Sequence, residues 1–203
     1  MMENAGRNLA LTVQETLGGA WRTEPIVVLA GRGGNGGGGI CAARHLANRG
    51  AHVTVVVAEP DRLSPVTADQ LDVYRATAGR VESTRRCDAL EARLVVDALI
   101  GYSLAGAPRG VVREMIDWAG DHPVVSLDVP SGVDATTGET PGTYVRAATT
   151  MTLALPKTGL GASAAGELVL ADIGIPISVF HRAGVEVPPH LFGERYRVGL
   201  RRG

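Results

Sequence analysis

Aromatic residues are few: two Trp, four Tyr and two Phe make up 4% of the chain. That leaves no stacking platform for unpaired bases, so a single-stranded nucleic acid is not an expected partner. Charge of one sign is not in excess either. Twenty Lys and Arg stand against twenty-one Asp and Glu, a net charge of −1, which sets up no field to draw a polyanion or an anionic membrane. Cysteine is scarce. Cys41 and Cys87 are the only thiols in 203 residues, too few for a disulfide framework. Each reads as a small structural residue, with no His or second Cys at metal spacing. The five histidines, His45, His52, His122, His181 and His190, show no ligand spacing. No apolar run approaches the ~20 residues that span a bilayer. The first ten residues carry Glu3 and Arg7 and no long apolar run, unlike a secretory leader. The expected compartment is the cytoplasm.

What is abundant is apolar residues, at 45%, and glycine, at 27 residues. The length suits one domain over residues 1–203. Met1 to Thr16 reads as an amphipathic helix closed by Gly18-Gly19. Ile26 to Ala30 is a continuous apolar run, the pattern of a strand buried on both faces. Further strands are expected at Val53–Val57, Leu94–Val96, Val124–Leu127, Thr149–Leu155 and Leu168–Ile173. Helices are expected at Ile40–Arg49, from Ser64-Pro65 to about Ala76 with Ser as N-cap, and at Val111–Ala119. The alternation predicts a parallel sheet with helices on both faces. The tail after Pro176 carries little pattern.

Seven of the nine residues from Gly31 to Gly39 are glycine, and this run reads as neither helix nor strand. It follows a buried strand and leads into a helix. Glycines let backbone N–H groups approach phosphate oxygens, and a helix N-terminus favours negative charge. No Lys-Ser/Thr follows, so it is not a Walker loop, and the glycines are too many for the standard dinucleotide fingerprint. A mere turn rarely needs so many glycines, so ligand binding is the better reading. Glu59 after the second strand is placed to grip a ribose, although Pro60 beside it points to a turn. Asp97 and Asp128 each fall at a strand's carboxyl end, where a doubly wound sheet binds its ligands. A lone Asp there is often only a turn cap; two of them beside a glycine loop are expected to share one crevice. Lys157 follows an apolar strand and has two readings, a phosphate contact or a solvated loop lysine.

Together these motifs resemble the NAD(P)H-hydrate epimerases, the YjeF N-terminal domain family. The resemblance runs from Met2-Glu3-Asn4-Ala5-Gly6-Arg7 to Asp172-Ile173-Gly174-Ile175-Pro176. Between them come Ala42-Ala43-Arg44-His45-Leu46, Asp97-Ala98-Leu99-Ile100-Gly101, Asp128-Val129-Pro130-Ser131-Gly132 and Pro156-Lys157. It implies a Rossmann-like three-layer αβα sandwich with a mostly parallel central sheet. It implies interconversion of the R and S forms of hydrated NADH and NADPH, feeding an S-specific dehydratase, and a homodimer. It also implies one potassium ion held by Asn35, Asp97 and Ser131, hard oxygen donors suited to such a cation. The substrate pyrophosphate would lie against Gly34, Asn35, Gly36, Gly37 and Gly38 and against Gly101, Tyr102, Ser103, Leu104, Ala105, Gly106 and Ala107. Asp128 would lie near the nicotinamide end as general acid and base. The chain stops soon after the family's last strand, so the dehydratase is expected as a separate protein. It starts at the Met-Glu-Asn-Ala-Gly motif, where members usually have an additional N-terminal segment.

The sequence departs from the family inside this crevice. The usual Gly-Pro-Gly-Asn-Asn-Gly-Gly-Asp-Gly loop has Gly34 for its first Asn and Gly38 for its Asp. Gly101-Tyr102-Ser103 replaces Gly-Thr-Gly, and Ala147-Ala148 replaces Ala-Asp. Two expectations therefore stay open: ordinary epimerisation, or a re-targeted or non-catalytic nucleotide-binding or dimerisation module of the same fold.

Overall fold

The computed structural model describes residues 1–188 and 190–200. In chain order these form α1 (Met2–Leu17), β1 (Ile26–Ala30), α2 (Gly34–Ala47), β2 (Val53–Val57), α3 (Pro65–Arg75) and β3 (Arg80–Glu82). Then come β4 (Leu94–Ala98), α4 (Gly110–Ala119), β5 (Val124–Leu127), β6 (Thr149–Leu153), α5 (Ala162–Ala165), β7 (Glu167–Ala171), α6 (Ile177–Arg182) and β8 (Arg197–Leu200).

The eight strands form one sheet in the order β3-β2-β1-β4-β5-β6-β7-β8. All neighbours pair in parallel except β7 and β8. Side chains of a strand leave alternate faces, so the apolar run of β1 needs cover on both. Ile26, Val28 and Ala30 enter one cluster with Leu9 and Val13 of α1 and Ile40 and Leu46 of α2. Val27 and Leu29 enter a second with Met115 and Ile116 of α4. Each fully buried Val or Leu here contributes about 1.5–3 kcal/mol. The result is the expected α/β, Rossmann-like, three-layer arrangement with a mostly parallel sheet. No helix among the described residues is long and apolar enough to cross a membrane.

Three details differ from the sequence reading. The glycine run is not a loop: Gly34 to Gly39 form the first turns of α2. Glycine is a poor helix former in isolation, but here the chain is pinned by packing. A methyl on Gly36 would stand 1.8 Å from the Gly31 carbonyl oxygen, so only glycine permits this approach. β6 stops at Leu153 because Ala154 turns the chain with φ +63°. The patternless tail is ordered. β8 adds antiparallel to β7, and Arg197 reaches α1, donating to both carboxylate oxygens of Glu15 and to Thr12 Oγ1. A four-residue strand with a glycine in it leaves little local signal.

Candidate active site

The sheet order reverses at β1, with β2 on one side and β4 on the other. Connections leaving these strands part to opposite faces, and the parting opens a crevice at the carboxyl ends. A cavity of about 480 Å³ lies there. Gly34, Asn35 and Gly38 line it from α2; Gly101, Tyr102 and Ser103 from the loop after β4; Leu127 and Asp128 from the end of β5. Met1, Met2, Leu153 and Ile173 complete it. An adjoining cavity of about 290 Å³ shares Gly34, Asn35, Gly101 and Ser103. It runs along Leu104, Ala105, Gly106 and Ala107 to Arg109, and past Gly33 to Arg32 and Glu59. The glycine run and the loop after β4 thus meet, with Asp128 at one pole and arginines at the other.

Not every expected residue faces this space. Gly36 packs on Gly31, and Gly37 packs on the Met2 side chain and Thr67. The N–H of Gly37 is already bonded to Gly33 O at 3.1 Å, whereas the first-turn N–H groups of Gly34, Asn35 and Gly36 have no partner within the helix. Position 38 is open to the cavity, but a methyl there would meet Leu127 Cδ2 at 2.8 Å. The leucine fills the space into which a larger residue would grow. Glu59 pairs with Arg62 at 2.8 Å and with Arg32 at 3.8 Å.

Beneath the cavity lies a buried polar knot. Asp97 is fully buried. Its Oδ2 accepts from Ser126 Oγ and Ser131 N, both at 2.8 Å; its Oδ1 accepts from Ser131 Oγ at 2.5 Å and Leu99 N at 3.2 Å. Ser131 Oγ in turn accepts from Ile100 N at 2.8 Å. Burial pushes the Asp97 carboxyl above its usual range, against the pull of the Ser131, Ser126 and Leu99 hydrogen bonds. No ion pair to it exists among the described residues, and a buried carboxylate without a counter-charge is costly. Asn35 shows a second unmet need: its buried Nδ2 has no hydrogen-bond partner. The two ends of that amide exchange by a half turn, so it can present an oxygen instead. Asp97, Asn35 and Ser131 carry oxygens of the kind a hard cation takes, and a positive charge nearby would offset the buried carboxylate.

Asp128 has φ +69°, a left-handed backbone that costs a non-glycine residue on the order of 1 kcal/mol. Its N–H bonds to Met151 O at 2.8 Å, which fixes the turn out of β5. Lys157, the chain's one lysine, meets neither of its sequence readings: its Nζ contacts Asp128 Oδ1 and donates to Leu153 O at 2.8 Å. Sequence spacing gave no hint of this contact, nor of Met1 and Met2 in the cavity wall.

The reading of Cys41 as lacking a metal-spaced partner also needs correction. Cys41 and His45 lie one turn apart on α2, and their ligand atoms come within 4.8 Å of a Glu3 oxygen. The place of a cation is already taken. Arg44 Nη2 sits 2.5 Å from Glu3 Oε2, and His45 Nε2 lies 2.7 Å from Glu3 Oε1. The cluster ties α1 to α2.

Comparison with known proteins identifies the architecture. The family described as "YjeF-related protein N-terminus" matches residues 1–159. The chain belongs to this family. One relative, the NAD(P)H-hydrate epimerase of Dehalogenimonas lykanthroporepellens, is 53% identical over 188 residues, covering 92% of this chain and 77% of the relative. Another, the bifunctional NAD(P)H-hydrate repair enzyme Nnr of Salinibacter ruber, is 40% identical over 205 residues. That match covers 90% of this chain but 38% of the relative, so the chain spans little more than a third of that enzyme. In fold, the crystal structure of yeast YNL200c is similar with a TM-score of 0.80 at 23% identity, over 98% of this chain and 89% of that one.

Proposed function

We propose that the protein is an isomerase, an NAD(P)H-hydrate epimerase that interconverts the R and S hydrates of NADH and NADPH. The observation that carries this reading is Asp128, a carboxylate at one end of a long cleft that passes the N-terminus of α2 and reaches Arg32 and Arg109 at the other. A dinucleotide has that polarity: a reactive ring at one end and a pyrophosphate that suits helix N–H groups. The named relatives point the same way.

The hydrate is a hemiaminal, with a hydroxyl on the carbon beside the ring nitrogen. Proton transfer to that hydroxyl lets water depart and leaves an iminium ion. Water adding to the opposite face, with loss of a proton, inverts the centre. Asp128 supplies the proton and takes it back, and its negative charge favours the cation between the two steps. The apolar wall of Met2, Leu127, Leu153 and Ile173 lowers the local dielectric on that side, which strengthens the attraction. Asp97, Asn35 and Ser131 would hold one potassium ion, whose charge, when bound, compensates Asp97 and steadies the loop that carries Ser131. Tyr102 and Ser103, where the family is smaller, border the cleft without closing it.

In this reading residues 1–203 act as one domain in the cytoplasm. A homodimer, and an S-specific dehydratase acting on the same hydrates, are what the family resemblance implies. A non-catalytic module has no need for Asp128 in a strained turn facing a cavity, which favours catalysis. The test supplies the R hydrates with an S-specific dehydratase and follows the recovery of reduced-cofactor absorbance. The wild type is expected to accelerate recovery, and Asp128→Asn to lose about 10²–10⁴-fold in kcat while folded. Full activity in Asp128→Asn removes that residue's role; no acceleration by the wild type removes the function.

A further inference from the structure

We infer that Lys157 is the positioning residue that turns Asp128 into a one-oxygen proton carrier, an inference that rests on the epimerase reading above. Asp128 Oδ1 accepts from two donors, Lys157 Nζ and Leu153 N at 3.2 Å. Oδ2 has no hydrogen-bond partner among the described residues, and Asp128 lines the cavity. A carboxylate held through one oxygen by two donors cannot turn about its terminal bond without breaking both. The other oxygen is therefore presented to the cavity in one orientation. Lys157 itself does not line that cavity. It acts behind Asp128.

The backbone around this contact is shaped for it. Asp128 and Ala154 are two of the three non-glycine residues with left-handed backbone among the described residues, and they flank the contact from both strands. The turn at Ala154 folds the chain back after β6, so that Lys157 donates to Leu153 O while Leu153 N–H donates to Asp128. Leu153 thus clamps both partners with one peptide unit on each side. Strained backbone of this kind persists where the surrounding structure over-determines it, and it clusters at functional sites. The chain's other basic residues are all arginine. The flexible four-carbon stem brings a cationic donor to that oxygen beside the Leu153 carbonyl.

Proton transfer depends steeply on the orientation of the transferring atom. Loss of the ammonium is therefore expected to lower kcat with little change in KM, since the cavity wall that binds substrate is untouched. The experiment measures kcat and KM for R-hydrate epimerisation in Lys157→Ala and Lys157→Met, with the thermal melt as a check on folding. Lys157→Ala is also assayed with added methylammonium and, separately, tetramethylammonium. The expected result is a kcat loss on the order of 10²-fold with KM within about threefold, and restoration by methylammonium but not by tetramethylammonium, which has no N–H to donate. Wild-type kcat in either variant, or a raised KM at unchanged kcat, overturns the assignment. If both variants fail to fold, Lys157→Arg decides. Activity within about tenfold of wild type supports a cationic donor at this place, and activity no better than Asp128→Asn rejects it. An inactive wild type would instead remove the epimerase reading, and this assignment would fall with it.

Discussion

A single added methyl separates the glycines that pack from those that face the ligand. Gly36→Ala places Cβ 1.8 Å from a backbone oxygen that cannot move aside. It is expected to cost about 3 kcal/mol in denaturant melts, despite alanine's better helix propensity. Gly34 is the opposite case, with nothing within 4 Å of the added carbon. Gly34→Asn, which restores the family's residue, should leave stability within about 0.5 kcal/mol. It also adds a polar group to the cavity wall, so KM for the hydrate is expected to fall. Gly38→Asp lies between, because the atom it meets is the tip of Leu127. Combined with Leu127→Ala it should be tolerated better than alone, by a double-mutant cycle of melts. The sequence marked all these glycines as a group. It gave no way to sort them, because what distinguishes Gly36 from Gly34 is the carbonyl of Gly31, brought close only by the fold.

The elements themselves were largely legible. Apolar runs closed by Asp97 and Asp128 located the strands and, through them, the crevice, because parallel strands buried on both faces have a distinctive pattern. The start of α2 was not legible. Local propensity argues against six glycine-rich residues in a helix, and burial against Met2, Leu127 and Ala98 overrides it. β8 and the Lys157 contact were hidden for a related reason: both depend on partners far along the chain. The contact between α1 and α2 carries a pH prediction. Burial, with Arg44 and Arg49 nearby, holds the His45 imidazole below its usual value, against the upward pull of Glu3. Glu3 is raised by burial but lowered more by Cys41, His45 and Arg44, and ends below its usual range. Both groups bind fewer protons folded than unfolded, so both make stability rise with pH. His45 acts as pH falls below about 6.5, and Glu3 only below about 4.5. His45→Gln keeps a donor for Glu3 but does not titrate. Its melting temperature should therefore fall less than that of the wild type between pH 7 and pH 5. Parallel curves for the two proteins would show that His45 plays no part.

At the scale of the whole molecule, the buried knot and the cavity meet at the loop after β4. Asn35 lines the cavity, and its amide lies beside Gly101, next in the chain to Ile100, whose N–H bonds to Ser131 Oγ of the knot. If a cation is bound by Asp97, Asn35 and Ser131, as proposed, it and a dinucleotide lying along α2 both act on the Asn35 side chain. If the cation fixes the Asn35 amide with its oxygen inward, its N–H₂ is left to face the ligand. Each binding event then prepares the site for the other. Linkage requires the effect to be mutual: the factor by which potassium tightens the dinucleotide equals the factor by which the dinucleotide tightens potassium. Potassium at about ten times its dissociation constant would stabilise the folded chain by about 1.4 kcal/mol, which raises the melting temperature by roughly 3–6 °C at this size. Replacing potassium chloride with choline chloride at equal ionic strength should remove that increment. Choline is too large for the knot and offers no bare charge to Asp97. Ser131→Ala should lose most of the response, whereas Gly34→Asn should keep it. Titration of a reduced dinucleotide in the two salts then tests the coupling: a lower dissociation constant in potassium is expected, with an equal factor in the reverse titration. Equal constants in both salts would mean that the knot beneath the cavity is purely structural, and that Asn35 serves the ligand alone.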